Sequence, residues 1–337
     1  MNYRSLGRTG VQVSELCLGC MTFGAATESK EAYAIVDRAI DSGINFLDTA
    51  NLYSRGRSEE VVGEALNINR QRDRIVLATK VHGRMVDDDP NAAGNSRRHI
   101  IDQCEASLRR LQTDYIDLYQ IHRPQSDIPI DETLRALDDL ILAGKIRYIG
   151  CSTFAAWQIV ESLWVAKELG LNRFVCEQPP YNLLDRRIER ELLPMAQTYG
   201  FAVIPWSPLC GGILTGKYRR DHMPEEGRWN KVADMSPAIA RRFHPGVFDV
   251  VEKLDPIAAD KGCTMSQLAL AWVLGRPGVT SPIIGPRTME QFEDNLDALK
   301  VEFSEEELAH IDEIMPPGAN VSPYYDADFG PHLHRCP

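Results

Sequence analysis

Four side chains with complementary chemistry stand at comparable places in this sequence. Asp48 and Tyr53 lie in NFLDTANLY, Lys80 ends IVLATK, and His122 ends YIDLYQIH. Each apolar, strand-like run finishes on a group that can carry charge or a proton. A free phenol has a pKa near ~10, too high for an efficient acid at neutral pH, but a neighbouring ammonium stabilises its phenolate. Lys80 is the available cation, and Asp48 is its natural anchor. His122 could orient a carbonyl or relay a proton. Together they describe a proton donor to a developing alkoxide, a device typically worth about 10²–10⁴ in rate. Taken singly, Asp48 could be a loop cap, Tyr53 a rim aromatic and His122 a satisfied core imidazole. Lys80 resists that treatment, because burying an unpaired ammonium is costly.

Other stretches carry weaker signals. GGILTGKY (Gly211–Tyr218) matches a phosphate-loop pattern until Tyr218, which replaces the hydroxyl that would hold magnesium. In IIGPRTMEQFEDN, Arg287, Gln291 and Asn295 recur every four residues and share one side of a helix. Arg287 stands at that helix's start, where free N–H groups favour a phosphate; a solvated polar face is the plain alternative. Trp206 is either a stacking surface or barrel core. The eight cysteines are scattered. Cys17 and Cys20 form a C-x-x-C inside a strand-like run, where positions i and i+3 point to opposite faces, so buried thiols are expected. HLHRC at the end is not read as a metal site without further ligands.

Positioning such groups requires a scaffold. Strands are expected at Leu16–Cys20, Asn45–Asp48, Ile75–Lys80, Tyr115–Ile121, Arg147–Cys151, Phe174–Glu177, Ala202–Trp206 and Ser281–Gly285. Helical periodicities separate them, among them Lys30–Asp41, Ser96–Leu111, Asp131–Ala143, Arg187–Tyr199 and Thr288–Leu299. Asp131 and Ser304 read as N-caps, the latter in a capping box with Glu307, and Gly144 reads as a helix stop. Eight alternations predict a parallel sheet covered by helices. The fold expected is α/β, a (β/α)8 TIM barrel, in one domain over residues 1–337. A hairpin over 1–15 precedes it. Segments 210–245 and 316–337 read as a long loop and a tail over the C-terminal face, where barrel active sites lie. An open doubly wound sheet is the alternative, but the chain has no G-x-G-x-x-G.

A net charge of −11 disfavours non-specific contact with nucleic acid or anionic membranes. No signal-peptide h-region opens the chain and no apolar run is long enough to span a bilayer, which predicts a cytoplasmic protein. Oligomeric state is not legible.

Over nearly its whole length the chain resembles the aldo-keto reductases. The stretches that carry the likeness are GCMTFG, NFLDTANLYSRGRSEEVVGEAL, RIVLATK, DYIDLYQIHRP, GKIRYIGCST, WSPLCGGILTGKY and IIGPRTMEQFEDN. The resemblance implies NADPH/NADP+ as cofactor, bound without a Rossmann domain, and a small carbonyl or alcohol substrate. It makes Asp48, Tyr53, Lys80 and His122 a catalytic tetrad with Tyr53 as general acid. Gly19, Cys20, Met21 and Asp48 would border the cofactor; Ser152, Thr153 and Gln178 would hold the carboxamide, and Trp206 would stack on the ring. Ser207, Pro208, Leu209, Gly211 and Lys217 would line the pyrophosphate, with Arg228 folding over it. Gly285, Arg287, Gln291, Asp294 and Asn295 would take the adenosine and its 2′-phosphate. Thr153 stands where many members have Asn, and Trp206 where many have Tyr. Trp is frequent in the subgroup that includes potassium-channel β subunits, so a cofactor-binding regulatory subunit is the alternative reading.

Overall fold

The computed structural model describes residues 1–225, 227, 229, 230, 235 and 237–324. Strands β1 (Tyr3–Ser5) and β2 (Gln12–Ser14) form the antiparallel hairpin. The main sheet comprises β3 (Cys17–Gly19), β4 (Phe46–Asp48), β5 (Val76–Val81), β6 (Ile116–Ile121), β7 (Ile146–Ser152), β8 (Cys176–Gln178), β9 (Ala202–Val203) and β10 (Ile283–Ile284). All eight are parallel and follow chain order, except that β10 returns to pair with β3. The last gap, between β9 and β10, is sealed by Thr280 N–H donating to Val203 O (2.7 Å) and Ile283 N–H donating to Pro205 O (2.8 Å). The sheet is therefore a closed barrel. Pro205 and Pro282 have no N–H to give back, which is why the expected strands Ala202–Trp206 and Ser281–Gly285 shorten to two residues each.

Helices α1 (Ser29–Asp41), α2 (Arg57–Ile68), α3 (Arg97–Leu111), α4 (Ile130–Leu142), α5 (Ala156–Leu169) and α6 (Leu192–Tyr199) alternate with β3–β9. After β9 come α7 (Pro237–Ala240), α8 (Gly246–Asp260) and α9 (Met265–Leu274), and after β10 come α10 (Met289–Asp297) and α11 (Glu305–Ile314). The Ser304–Glu307 capping box forms. Gly144 follows α4 in the left-handed region at φ 74°. Asp131 is not a cap: it lies inside α4, whose N-cap is Pro129, and its carboxylate instead suits the positive end of the helix. The expected single helix Arg187–Tyr199 is a short 3-10 turn (Arg187–Glu189) followed by α6. Glu189 is drawn away by Arg186 and by the Tyr181 hydroxyl (2.5 Å).

Side chains of a strand alternate between faces, and this period of two divides the barrel interior into layers. Cys17, Phe46, Ala78, Leu118, Cys176, Ala202, Ile204 and Ile283 pack together as one apolar cluster with Leu6 and Val13 of the hairpin. The hairpin thus plugs the N-terminal end. Gly7 is required there: its φ is +59°, and a Cβ would come within 2.5 Å of Val175 O and 2.9 Å of Ala202 N. Arg4 Nη1 ties the hairpin to Leu274 O (3.1 Å) and Val279 O (2.9 Å), and Ser281 Oγ donates to Ser14 O (2.8 Å). Two residues further along each strand, the same parity places Gly19, Asp48, Lys80, Gln120, Gly150, Gln178 and Gly285 toward the C-terminal end.

Segment 210–245 is more than a surface loop. It contains a 3-10 turn (Cys210–Thr215) and α7, and it buries Tyr218 and Trp229. Trp229 stacks on Phe243 at 5.4 Å with an 8° interplanar angle and donates its Nε1 to Gly211 O. The chain after α11 runs back against Leu184, Arg186 and Trp206 as far as Tyr324, and the rest of the expected tail lies outside the described residues. Arg186 N–H donates to Ala319 O (2.8 Å), Val321 N–H donates to Leu184 O (2.9 Å), and the buried Tyr324 ring meets Trp206 edge-on at 5.6 Å.

Candidate active site

Asp48 and Lys80 end or nearly end β4 and β5 on the interior parity, so their side chains meet inside the barrel. Lys80 Nζ donates to Asp48 Oδ1 at 2.5 Å, to Thr49 O at 2.8 Å and toward the Tyr53 hydroxyl at 3.4 Å. Lys80 is fully buried. Burial alone would pull its pKa down, but the Asp48 carboxylate and then Tyr53 outweigh it, and the net shift is upward. The ammonium is therefore charged at any ordinary pH. Breaking such a buried pair from one side strands a charge and costs about 3–5 kcal/mol.

Tyr53 follows β4 at the start of a tight turn in which Ser54 and Arg55 have positive φ. Its half-buried ring stands edge-on to the His122 ring, with centroids 5.7 Å apart. Burial first, and then the charges of Arg123, Lys80 and His82, hold the His122 pKa well below the ordinary imidazole value. His122 is therefore neutral at physiological pH, able to donate from one ring nitrogen. The four residues singled out by chemistry converge at one end of the barrel.

Gln178 Nε2 donates to Asp48 Oδ2 at 2.8 Å, so it touches the carboxylate directly. Ser152 Oγ donates to Gln178 O at 2.8 Å. Thr153 is fully buried at φ +63°, strained for a β-branched residue. Its Oγ1 accepts from Arg123 Nη1 at 2.9 Å. Trp206 is half-buried, its Nε1 without a hydrogen-bond partner among the described residues, beneath the Arg123 guanidinium at 6.0 Å. Gly19 leaves no room for a side chain, since a Cβ would lie 2.5 Å from Ile283 Cγ2. Cys20 is buried beside it, and Met21 is exposed. The two thiols of the C-x-x-C do face opposite ways, Cys17 into the barrel and Cys20 into the helix layer.

Ser207 (φ +54°), Pro208, Leu209 and Gly211 (φ +63°) form a sharply folded ledge after β9. Lys217 and Arg287 lie near enough for the charge of one to act on the other. The Lys217 pKa is lowered by partial burial and by the Arg287 charge, and neither forms an ion pair among the described residues. Gln291 Oε1 accepts from Arg287 N (2.9 Å), while Asn295 is buried without a side-chain hydrogen bond among the described residues. Two neighbouring cations, an amide unengaged among the described residues and a ledge of left-handed backbone suit a polyanionic ligand. Asp294 is committed elsewhere, accepting from Thr264 Oγ1 (3.0 Å) and Gln267 Nε2 (2.8 Å) of the α9 cap. Gly285 is exposed and open, with no atom within 4 Å of a Cβ built on it. Arg228 and the HLHRC run lie outside the described residues.

The aldo/keto reductase family profile matches residues 15–316, a span that takes in every strand of the barrel. The chain belongs to the aldo/keto reductase family. Among its relatives is an uncharacterized oxidoreductase of Bacillus subtilis, 40% identical over 340 residues, covering 96% of this chain and 99% of that protein. A probable voltage-gated potassium channel subunit beta of Oryza sativa subsp. japonica is 38% identical, covering 89% and 92%. The versiconal hemiacetal acetate reductase of Aspergillus parasiticus is 34% identical, covering 95% and 98%. Within this aldo/keto reductase, sequence reasoning did not single out Gln120. Gln120 carried a usable signal: it shares strand parity with Leu118 and His122, so it had to face inward. No helix of the described residues is long and apolar enough to cross a membrane.

Proposed function

We propose that this protein is an NADPH-dependent oxidoreductase that reduces an aldehyde or ketone to an alcohol. Family membership supports the carbonyl-reducing class. The observation that carries the mechanism is the continuous contact from Asp48 through Lys80 to the Tyr53 hydroxyl, with neutral His122 beside it. A bound nicotinamide would supply the hydride. Tyr53 gives its proton to the carbonyl oxygen, and the Lys80 ammonium stabilises the phenolate left behind. Asp48 keeps Lys80 in place. His122 donates a hydrogen bond that orients the carbonyl. Run backwards, Tyr53 is the base of an alcohol oxidation.

The carboxamide would lie against Ser152, Thr153 and Gln178, the ring on Trp206, and the phosphates between Lys217 and Arg287. Arg287, with Gln291 and Asn295, is the argument for NADP over NAD. Buried free thiols (Cys17, Cys20, Cys104, Cys151, Cys176, Cys210) suit a reducing, cytoplasmic setting.

The test is consumption of NADPH at a panel of aldehydes, diketones and sugar carbonyls, with cofactor affinity measured by fluorescence. Tyr53→Phe should lower kcat by at least 10²-fold with NADPH affinity within about twofold. A variant that kept most of its rate would remove Tyr53 from the role. Tight NADPH binding without turnover in either direction would favour a regulatory subunit instead, a reading that the likeness to channel β subunits keeps in play.

A further inference from the structure

The Asp48 carboxylate has two oxygens, and the reading above uses one. Its Oδ2 accepts from Gln120 Nε2 at 3.1 Å as well as from Gln178 Nε2 at 2.8 Å. Gln120 is fully buried in mid-barrel, its Oε1 facing Gln178 Nε2 at 3.4 Å and Cys176 Sγ at 3.9 Å. An amide buried in an apolar barrel must be matched or it costs stability, so its place demands an explanation. Strand register supplies the geometry: Lys80, Gln120, Gly150 and Cys176 are opposite one another across β5–β8. Gly150 makes the arrangement possible. A Cβ there would meet Cys176 Sγ at 2.5 Å and Gln120 Cγ at 3.2 Å. The row is cut back at one position so that an amide can reach across to the acid.

We propose that Gln120 is a positioning residue of the active site: with Gln178 it fixes the Asp48 carboxylate so that Oδ1 holds Lys80 against Tyr53. The inference rests on the functional reading above. Gln178 reaches the same oxygen from the strand that would carry the carboxamide contact, so the pair joins the cofactor side of the site to the proton-donating side. Without Gln120 the carboxylate turns, Lys80 Nζ follows it, and the Tyr53 contact lengthens.

The titratable groups near enough to interact with Asp48 are Lys80 on β5, Tyr53 beyond β4, and the thiols of Cys17, Cys20 and Cys176. Burial keeps the three thiols protonated. The test compares Gln120→Met, similar in shape and unable to donate, with Gln120→Glu. Gln120→Met should lower kcat about 10- to 100-fold, the value of one hydrogen bond to a charged group, while KM and NADPH affinity stay within about threefold. Gln120→Glu should be as impaired at pH 8 and recover as pH falls, because the introduced carboxyl donates once protonated. A Gln120→Met enzyme with unchanged kcat overturns the proposal. So does loss of NADPH binding in step with kcat in both variants, which would mark a purely structural role. Tyr53→Phe, assayed alongside, separates the two readings: if it stays active, the assignment of the site fails; if it is dead while Gln120→Met is normal, only the role of Gln120 fails.

Discussion

At the scale of residues, burial decides which groups in this barrel can hold charge. Lys80 remains an ammonium because Asp48 is in contact with it, whereas His122 is kept neutral first by burial and then by the cations beside it. Glu177, on β8 but facing away from the interior, shows the opposite outcome. Burial raises its pKa to about 8, despite hydrogen bonds such as that from Phe154 N–H at 3.1 Å. An unfolded glutamate ionises near ~4.3, so folding takes up a proton between those values, and stability falls as pH rises through that window. Glu177→Gln removes the penalty. Its urea midpoint should exceed that of the parent at pH 9, and the advantage should shrink by roughly 2–3 kcal/mol at pH 6; an advantage equal at both pH values would mean that Glu177 is ionised throughout. The acid, ammonium and imidazole were legible because each ends an apolar run with a group out of place there. Gln120 was not, because a lone amide within a strand-like run proclaims nothing until the strand's parity is known.

At the scale of elements, the strands were legible in position and the connections were not. Alternation of apolar runs and helical periodicity marks every barrel strand within a few residues. The seam strands were overestimated because Pro205 and Pro282 each remove a donor and cut the regular ladder short. Segment 210–245 read as surface because its charge hides the burial of Tyr218 and Trp229. The strap 316–324 has little pattern of its own and is held by the residues it crosses. Its anchor is Tyr324, whose backbone N–H donates to Asp185 Oδ2 (2.8 Å) and whose ring lies under Arg242 at 4.3 Å and against Trp206. Tyr324→Ala should cost about 3–5 kcal/mol of stability, as for large aromatic truncations generally. It should also weaken NADPH binding through the loosened Trp206. A melting temperature unchanged from the parent would show that the strap is held without this ring.

At the scale of the whole molecule, an excess of eleven negative charges surrounds a site expected to receive a polyanion. Lys217 and Arg287 form a local basic patch within that field, and exposed charges of this kind are screened by salt. NADPH affinity should therefore fall between 20 and 500 mM salt more steeply than NADH affinity. Arg287→Ala should cost NADPH more than NADH and flatten the NADPH salt dependence toward that of NADH. Parallel losses for both cofactors would take the 2′-phosphate away from Arg287.

The way the barrel closes also bears on how the protein is made. Its first strand pairs with its last, and Arg4 bonds to carbonyls some 270 residues downstream. At typical synthesis rates of roughly 5–20 residues per second, tens of seconds separate the emergence of β3 from that of β10. Throughout that time the outer edge of β3 has no mate. Such an edge is a template for wrong pairing. The barrel can close only once β10 has emerged, and yield in a cell depends on whatever shields that edge until the final strand arrives.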